Sequence, residues 1–193
     1  MTTQTASIPR PGLWARLSVT SGNLVQLAGL GLGTLLLYAA ANLQVASAVR
    51  VTLMLIGFLI IYDCCHAIAH WAIGRLVGIR FRGYGIRGTD HPESYPLGIR
   101  QVMSVMPFFT AMTQKESMRA ASPRAKALMF AAGETGTTLF SLLAALYAWR
   151  SGIPGGGVLF WAMVFWNIAA TVVTALTPKG DYAKALRVLH LRT

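Results

Sequence analysis

The stretch VTLMLIGFLIIYDCCHAIAH, residues 51–70, decides the fold of this chain. Its first twelve residues carry no charge, and the apolar run continues to about residue 74, which is long enough to cross a bilayer as one helix. Three further apolar runs of similar length occupy residues 23–43, 126–149 and 157–177. Only helices satisfy their own backbone in hydrocarbon, and none of the runs alternates as barrel strands do. We therefore predict an all-α membrane protein with about four transmembrane helices.

The composition excludes an ordinary soluble domain. Of the 193 residues, 54% are hydrophobic and 12% are charged, whereas soluble domains carry about 25% charged residues. The formal net charge of +11 could indicate nucleic acid, but the cations flank the apolar runs instead of forming one basic, aromatic surface. The expected surroundings are a lipid bilayer, with no nucleic-acid partner.

The distribution of lysine and arginine predicts the topology. Placing both termini in the cytoplasm leaves only Arg50 and Arg150, among the 17 cations, in outside loops, and cations are enriched on the cytoplasmic side of membrane proteins. We predict an integral, multi-pass protein with a cytosolic N-terminal segment, residues 1–22. Residues 23–193 then form a single membrane domain.

The connection between the second and third helices, residues 75–125, is long for a helical bundle. It contains RFRGYGIRGTDHPESYPLGIR at residues 80–100, where residues 90–93 indicate a turn, and the half-apolar QVMSVMPFFTAM at residues 101–112. The second piece is too short to span. We expect a cytosolic connection holding a short hairpin or irregular cap and an interfacial or re-entrant segment.

The second predicted helix carries a histidine pair. His66 and His70 are four residues apart, so they lie about 40° apart on one face and one turn of rise brings both rings within reach of a single metal ion. Asp63 falls on the same face. Ionisable groups inside a membrane helix are costly and mark functional sites. The alternative is that these side chains form hydrogen bonds between helices.

Asp181 follows the fourth predicted helix and is the natural third ligand. In the predicted topology the second and fourth helices run in the same direction, so Asp181 lies in the same half of the membrane as His66 and His70. Two histidines and a carboxylate leave a fourth position open, as catalytic zinc requires. The alternative is that Asp181 caps a C-terminal helix on the membrane surface.

Three stretches, in order, resemble the site-2 protease family of intramembrane metallopeptidases. HAIAH at residues 66–70 looks like the family's HExxH helix, AGETGT at residues 132–137 looks like its AGPxxN helix, and Asn167 with TPKGDY at residues 177–182 looks like its NxxP…DG end. The resemblance covers roughly residues 51–190. It implies a zinc ion, with His66, His70 and Asp181 as ligands. It also implies a partner, the transmembrane segment of another membrane protein.

The chain departs from the family at the residue that moves protons. The glutamate of HExxH is Ala67 here, and the proline and asparagine of AGPxxN are Glu134 and Thr137. General acid–base help contributes about 10²–10⁴ in rate, so proteolysis is doubtful. Ala67 could be an engineered inactivating change, the mark of a natural non-proteolytic relative, or a loss compensated by another carboxylate.

Glu134 is the first candidate for a substitute base, and Asp63 is the second. Each has an alternative role as a hydrogen-bond partner that orients a ligand histidine; the two roles weigh equally for Glu134, and orientation is favoured for Asp63. Thr137 and Asn167, at motif positions, are also expected to support the ligands. The competing hypothesis for the whole chain is a metal-free membrane scaffold or interaction protein.

Overall fold

The computed structural model describes residues 12–88, 101 and 105–190. Four of its helices are long and apolar enough to cross a membrane, and they confirm the four predicted spans. The predicted turn at residues 90–93 lies outside the described residues. The helices within the described ranges are α1 (Val19–Asn42), α2 (Ser47–Leu76), α3 (Lys115–Ala120), α4 (Pro123–Arg150), α5 (Gly156–Leu176) and α6 (Asp181–His190).

Three of the spans begin three or four residues before the apolar run, and serine side chains cap two of them. The Ser18 side chain accepts a hydrogen bond from the Ser21 backbone at the start of α1. The Ser122 side chain does the same for Ala125 at the start of α4, where Pro123 takes the first helical position. Serine caps and an N1 proline stabilise helix starts but contribute nothing to hydropathy. An apolar run therefore marks the membrane-crossing part of a helix better than its end.

A three-stranded antiparallel sheet accompanies the helices. Its strands are β1 (Ala15–Leu17), β2 (Phe81–Arg87) and β3 (Phe108–Thr113), in the order β1-β2-β3. The structure is thus mostly helical, and the sheet is an addition to the predicted all-α fold. Strands β2 and β3 lie in the predicted long connection, whereas β1 comes from the N-terminal segment and was not predicted. The cytosolic location of the connection and a re-entrant segment within it stay predictions.

Helix α2 is the centre of the bundle and packs against both α1 and α4. Gly33 of α1 and Gly57 of α2 face each other so closely that a Cβ atom on either would meet the backbone oxygen of the other. Small residues of this kind let membrane helices approach each other. Leu37 of α1 and Phe58 and Ile61 of α2, close to these glycines in sequence, form part of the buried apolar core. The position of α2 places its histidines beside α4.

Tyr84 fixes the sheet to the bundle. Its side chain is fully buried, its ring packs against Gly22 of α1, and its hydroxyl donates a 2.5 Å hydrogen bond to Asn23 Oδ1. Burial raises the pKa of the Tyr84 hydroxyl to about 12, so it stays a neutral donor at any physiological pH. Because β2 is held here, β3 lies over the C-terminal half of α2, where the histidines are.

Candidate metal centre

His66, His70 and Asp181 converge on one point. The Asp181 Oδ2 atom lies 3.0 Å from His70 Nε2 and 3.4 Å from His66 Nε2, and the two Nε2 atoms are 3.2 Å apart. The two histidines come from one face of α2, one turn apart, whereas Asp181 is 111 residues from His70 in sequence. The structure therefore brings together the three predicted ligands, which form a group able to hold a metal ion.

Thr137 of α4 holds the Nδ1 side of the His66 ring. The Thr137 hydroxyl donates its single proton to the Gly133 carbonyl oxygen at 3.0 Å. Its oxygen lies 3.0 Å from His66 Nδ1, and with the hydroxyl proton donated to the Gly133 carbonyl it accepts a hydrogen bond from that nitrogen. A neutral His66 ring with its proton on Nδ1 presents an unprotonated Nε2 to the other two side chains.

The His70 ring is held in the same way by a backbone carbonyl. His70 Nδ1 lies 2.6 Å from the Met129 carbonyl oxygen, which can only accept, so Nδ1 carries the proton. Gly133 lies against the other side of this ring, and a Cβ atom there would overlap it. Partners of this kind fix the tautomer and orientation of metal-binding histidines. Both histidines thus turn an Nε2 lone pair toward Asp181.

Two Nε2 lone pairs and a carboxylate oxygen this close together need a shared proton or a metal ion between them. With both rings neutral, none of the three atoms carries a proton to donate, so the cluster is repulsive unless one ring is protonated or a metal ion binds. In a tetrahedral zinc site with bonds of about 2.0–2.1 Å, neighbouring ligand atoms are about 3.3 Å apart. The observed separations of 3.0, 3.2 and 3.4 Å fit that spacing. The residues present therefore fit a zinc ion.

The turn between α5 and α6 places Asp181 beside the two histidines. After α5 ends, the Gly180 backbone donates to the Thr177 carbonyl at 2.8 Å. Gly180 packs so tightly against Thr174 that a Cβ atom there would overlap its backbone, so only glycine allows the chain to turn back at this point. Helix α6 then begins at Asp181, and Lys184 Nζ pairs with Asp181 Oδ1 at 2.8 Å. Asp181 thus keeps Oδ2 for the histidines.

The charge on Asp181 is strongly stabilised. Burial opposes its ionisation, but hydrogen bonds from His66 and His70 and the charge of His70, when these rings are protonated, together with the charge of Lys184, outweigh burial and hold the pKa of this carboxyl well below its usual range. A carboxylate that stays ionised is the form that binds metal. The contribution of this group to stability is present above the ordinary aspartate pKa and is lost only in strong acid.

A cavity of about 320 Å³ opens beside the three side chains. It lies between the candidate ligands and strand β3, and Lys184 and Arg87 also line it. The His66 side chain is 33% exposed and the Asp181 side chain 15%, so the site is accessible from this cavity. A small molecule or an extended chain therefore has a path to the site.

Other residues predicted for the site occupy different positions. Ala67 is buried and carries no group able to move a proton. Glu134, on α4, interacts electrostatically with His66, His70 and Asp181. Asp63 makes none of the hydrogen bonds described for His66 or His70, and its buried Oδ1 has no partner within the described ranges. Asn167 donates to Ser141 Oγ and to the Met163 carbonyl, which ties α5 to α4.

Sequence reasoning missed three contributors to the site. The Met129 carbonyl leaves no sequence signal, because any residue type supplies the same group. Gly133 stood inside the stretch that resembles the family's AGPxxN helix, but the sequence did not indicate that the His70 ring packs against it. Lys184 could have been found, since lysine three residues after Asp181 on a helix is positioned for an ion pair. Comparison with protein-family models, with curated proteins and with solved structures gave no match.

Proposed function

We propose that this protein is a site-2-protease-like membrane protein that holds a zinc ion between His66, His70 and Asp181 and binds the transmembrane segment of another protein. One observation carries the proposal: two histidine Nε2 atoms and a carboxylate oxygen meet at 3.0–3.4 Å, and both Nδ1 atoms are already committed to Thr137 and Met129. This arrangement favours a cation at the centre.

When bound there, zinc would supply Lewis acidity toward a peptide carbonyl. His66, His70 and Asp181 would hold the ion as ligands, and Thr137 would fix the orientation of the His66 ring. Glu134 is the candidate to take a proton from an attacking water, because its carboxylate is near the ligands and Ala67 cannot do so. Cleavage without the usual glutamate would be slow, so binding of the segment is the main activity we propose.

A membrane segment as partner is supported by the surface next to the site. An apolar groove of about 650 Å³ runs between α4, α5 and α6 and includes Tyr182, the residue after Asp181. The Tyr182 hydroxyl lies 3.0 Å from the Thr135 hydroxyl, which fixes α6 against α4 at one end of the groove. An apolar helix in the bilayer would find a complementary surface here.

The zinc content of the purified protein tests the metal site. Protein extracted in a nonionic detergent should carry about one equivalent of zinc by elemental analysis, and His66→Ala, His70→Ala and Asp181→Ala should each lose it. His190→Ala is the matched control, because this histidine is exposed and bonds to the Leu186 carbonyl on α6. Wild-type protein that takes up no zinc would contradict the proposal.

The metal-free scaffold remains the second candidate, and one observation favours it. A proton on either histidine would also satisfy the cluster, and the Asp181–Lys184 pair already neutralises the carboxylate. In that case α6 would be tied to α2 by hydrogen bonds alone. The two functions differ in metal content and in cleavage: a scaffold leaves a membrane-segment substrate intact at every zinc concentration and binds it equally well after His66→Ala.

A further inference from the structure

We propose that the cavity beside the metal site binds an oxyanion, a carboxylate or a phosphate carried by a ligand with a small apolar body. The inference deepens the proposed function and rests on it in part, because a bound divalent ion would supply some of the attracting charge. The remaining charge comes from side chains of the cavity itself.

Cationic side chains from two different elements line the cavity. Lys184 comes from α6 and Arg87 from the end of β2. Thr110 and Thr113 of β3 line the same cavity and carry hydroxyl groups able to donate hydrogen bonds. The polar part of the wall thus offers donors and positive charge.

Lys184 is held at the entrance to the site. Its Nζ atom lies 2.8 Å from Asp181 Oδ1 and 5.8 Å from the centre of the Phe130 ring, and its side chain is 38% exposed. A lysine ammonium has three donors, and the hydrogen bonds described for Lys184 use one of them, on Asp181. Donors therefore remain for a ligand in the cavity.

Among the described residues, the negative charge around the cavity is smaller than the positive charge once a divalent ion is bound. Asp181 is the acidic residue of the described ranges that lines the cavity, and its carboxylate is shared among Lys184 and both histidines. Glu134 lies near the ligands but does not line the cavity. The charges of Lys184 and a bound divalent ion together exceed those of these two carboxylates. The positive end of α6, which begins at Asp181, adds to the excess.

The rest of the wall defines the body of the ligand. Phe109, Met118, Met129 and Phe130 give the cavity an apolar side. Its volume of about 320 Å³ falls at the small end of the range of about 300–1,000 Å³ typical of small-molecule sites. A ligand with an anionic group beside Lys184 and an apolar group against the phenylalanines and methionines would fit both the polar and the apolar wall of the cavity.

Three small probes test this inference: N-acetylphenylalanine, its neutral amide and phenyl phosphate, each titrated calorimetrically into the full-length protein in nonionic detergent, with zinc and after chelation. We expect the acid and the phosphate to bind and the amide to bind at least about tenfold more weakly, since hydrogen bonds to charged groups are worth about that much. A difference between acid and phosphate identifies which oxyanion the site prefers.

Lys184→Met should weaken binding of the acid at least about tenfold, and Arg87→Gln provides a second test on another element if Lys184→Met does not fold. Lys179→Met is the matched control, because Lys179 is exposed in the turn before α6 and does not line the cavity. Zinc content is measured for every variant, so that a loss of metal is not mistaken for a loss of the cation.

The results for the two proposals separate. Equal affinity for acid and amide in a zinc-loaded protein would overturn the oxyanion site and leave the metal site standing. Lys184-dependent binding of the acid by a protein that takes up no zinc would support the oxyanion site and overturn the metal site. Binding of neither zinc nor acid would overturn both.

Discussion

His66 Nδ1 lies 3.0 Å from the Thr137 hydroxyl oxygen, and that hydroxyl donates its hydrogen bond to the Gly133 carbonyl. With that assignment the bond runs from the ring to the threonine, and a neutral His66 ring leaves Nε2 unprotonated. A residue that the family resemblance placed at a motif position thus acts through the tautomer of a histidine. This relationship gives the first prediction.

Thr137→Val should keep the shape of the side chain and remove the acceptor for His66 Nδ1. We expect the zinc affinity of Thr137→Val to fall about 10- to 100-fold, the usual cost of losing such a partner. Thr137→Ser, which keeps the hydroxyl, should retain the affinity of the wild type. Competition with a zinc-binding dye measures the change. Thr138→Val is the control on the adjacent position of α4; an equal loss in both valine variants would show a general disturbance of the helix.

Gly133→Ala should displace the His70 ring. The added methyl group would overlap Nε2 and its two neighbouring carbons, and overpacking of this kind costs about 1–3 kcal/mol. We expect loss of zinc and a lower melting temperature. Gly31→Ala is the matched change in another membrane helix, since a Cβ atom there meets no described atom within 4 Å. Retention of zinc by Gly133→Ala would contradict the described geometry.

Glu134→Gln should separate metal binding from proton transfer. If Glu134 replaces the missing base, any zinc-dependent cleavage of a membrane-segment substrate falls at least about a hundredfold, with zinc content unchanged because Glu134 is not one of the three converging side chains. Cleavage rates are read by mass spectrometry of the products. Unchanged cleavage in Glu134→Gln, together with its loss in His66→Ala, would exclude Glu134 as the base.

Arg50→Met should loosen the end of the bundle opposite the site. Arg50 Nε donates to the Ala40 carbonyl at 2.7 Å, and its guanidinium also reaches the carbonyl oxygens of Ala41 and Gly152 at 3.4 Å. Hydrogen bonds from charged groups are worth about 1.5–3 kcal/mol, so we expect a melting temperature lower by about 5 °C or more. Arg150→Met, which loses a 5.9 Å contact with the Trp149 ring, should change it less.

The membrane helices were predictable because each is a local pattern of apolar residues. The histidine pair was predictable for the same reason, since a spacing of four in a helix places both rings on one face. The approach of Asp181 depends on the turn at Gly180 and on the packing of α6, and no local rule gives it. Its prediction rested on topology and on the resemblance to a family.

The sheet was only partly predictable. Strands β2 and β3 contain alternating or aromatic residues within a long connection, so a hairpin could be expected there. Strand β1 has three residues and exists because β2 offers it an edge, pairing Ala15 with Ile86 and Leu17 with Tyr84. A segment that is extended only by virtue of its partner leaves no periodic signal of its own.

Asp181 is both a candidate ligand and the first residue of α6. An ion held by the three side chains would therefore link α6 to α2, so that detachment of α6 and dissociation of the ion would be coupled. On the proposed function, a partner that pulls α6 away would compete with the bound ion, and removal of the ion would free α6 from α2.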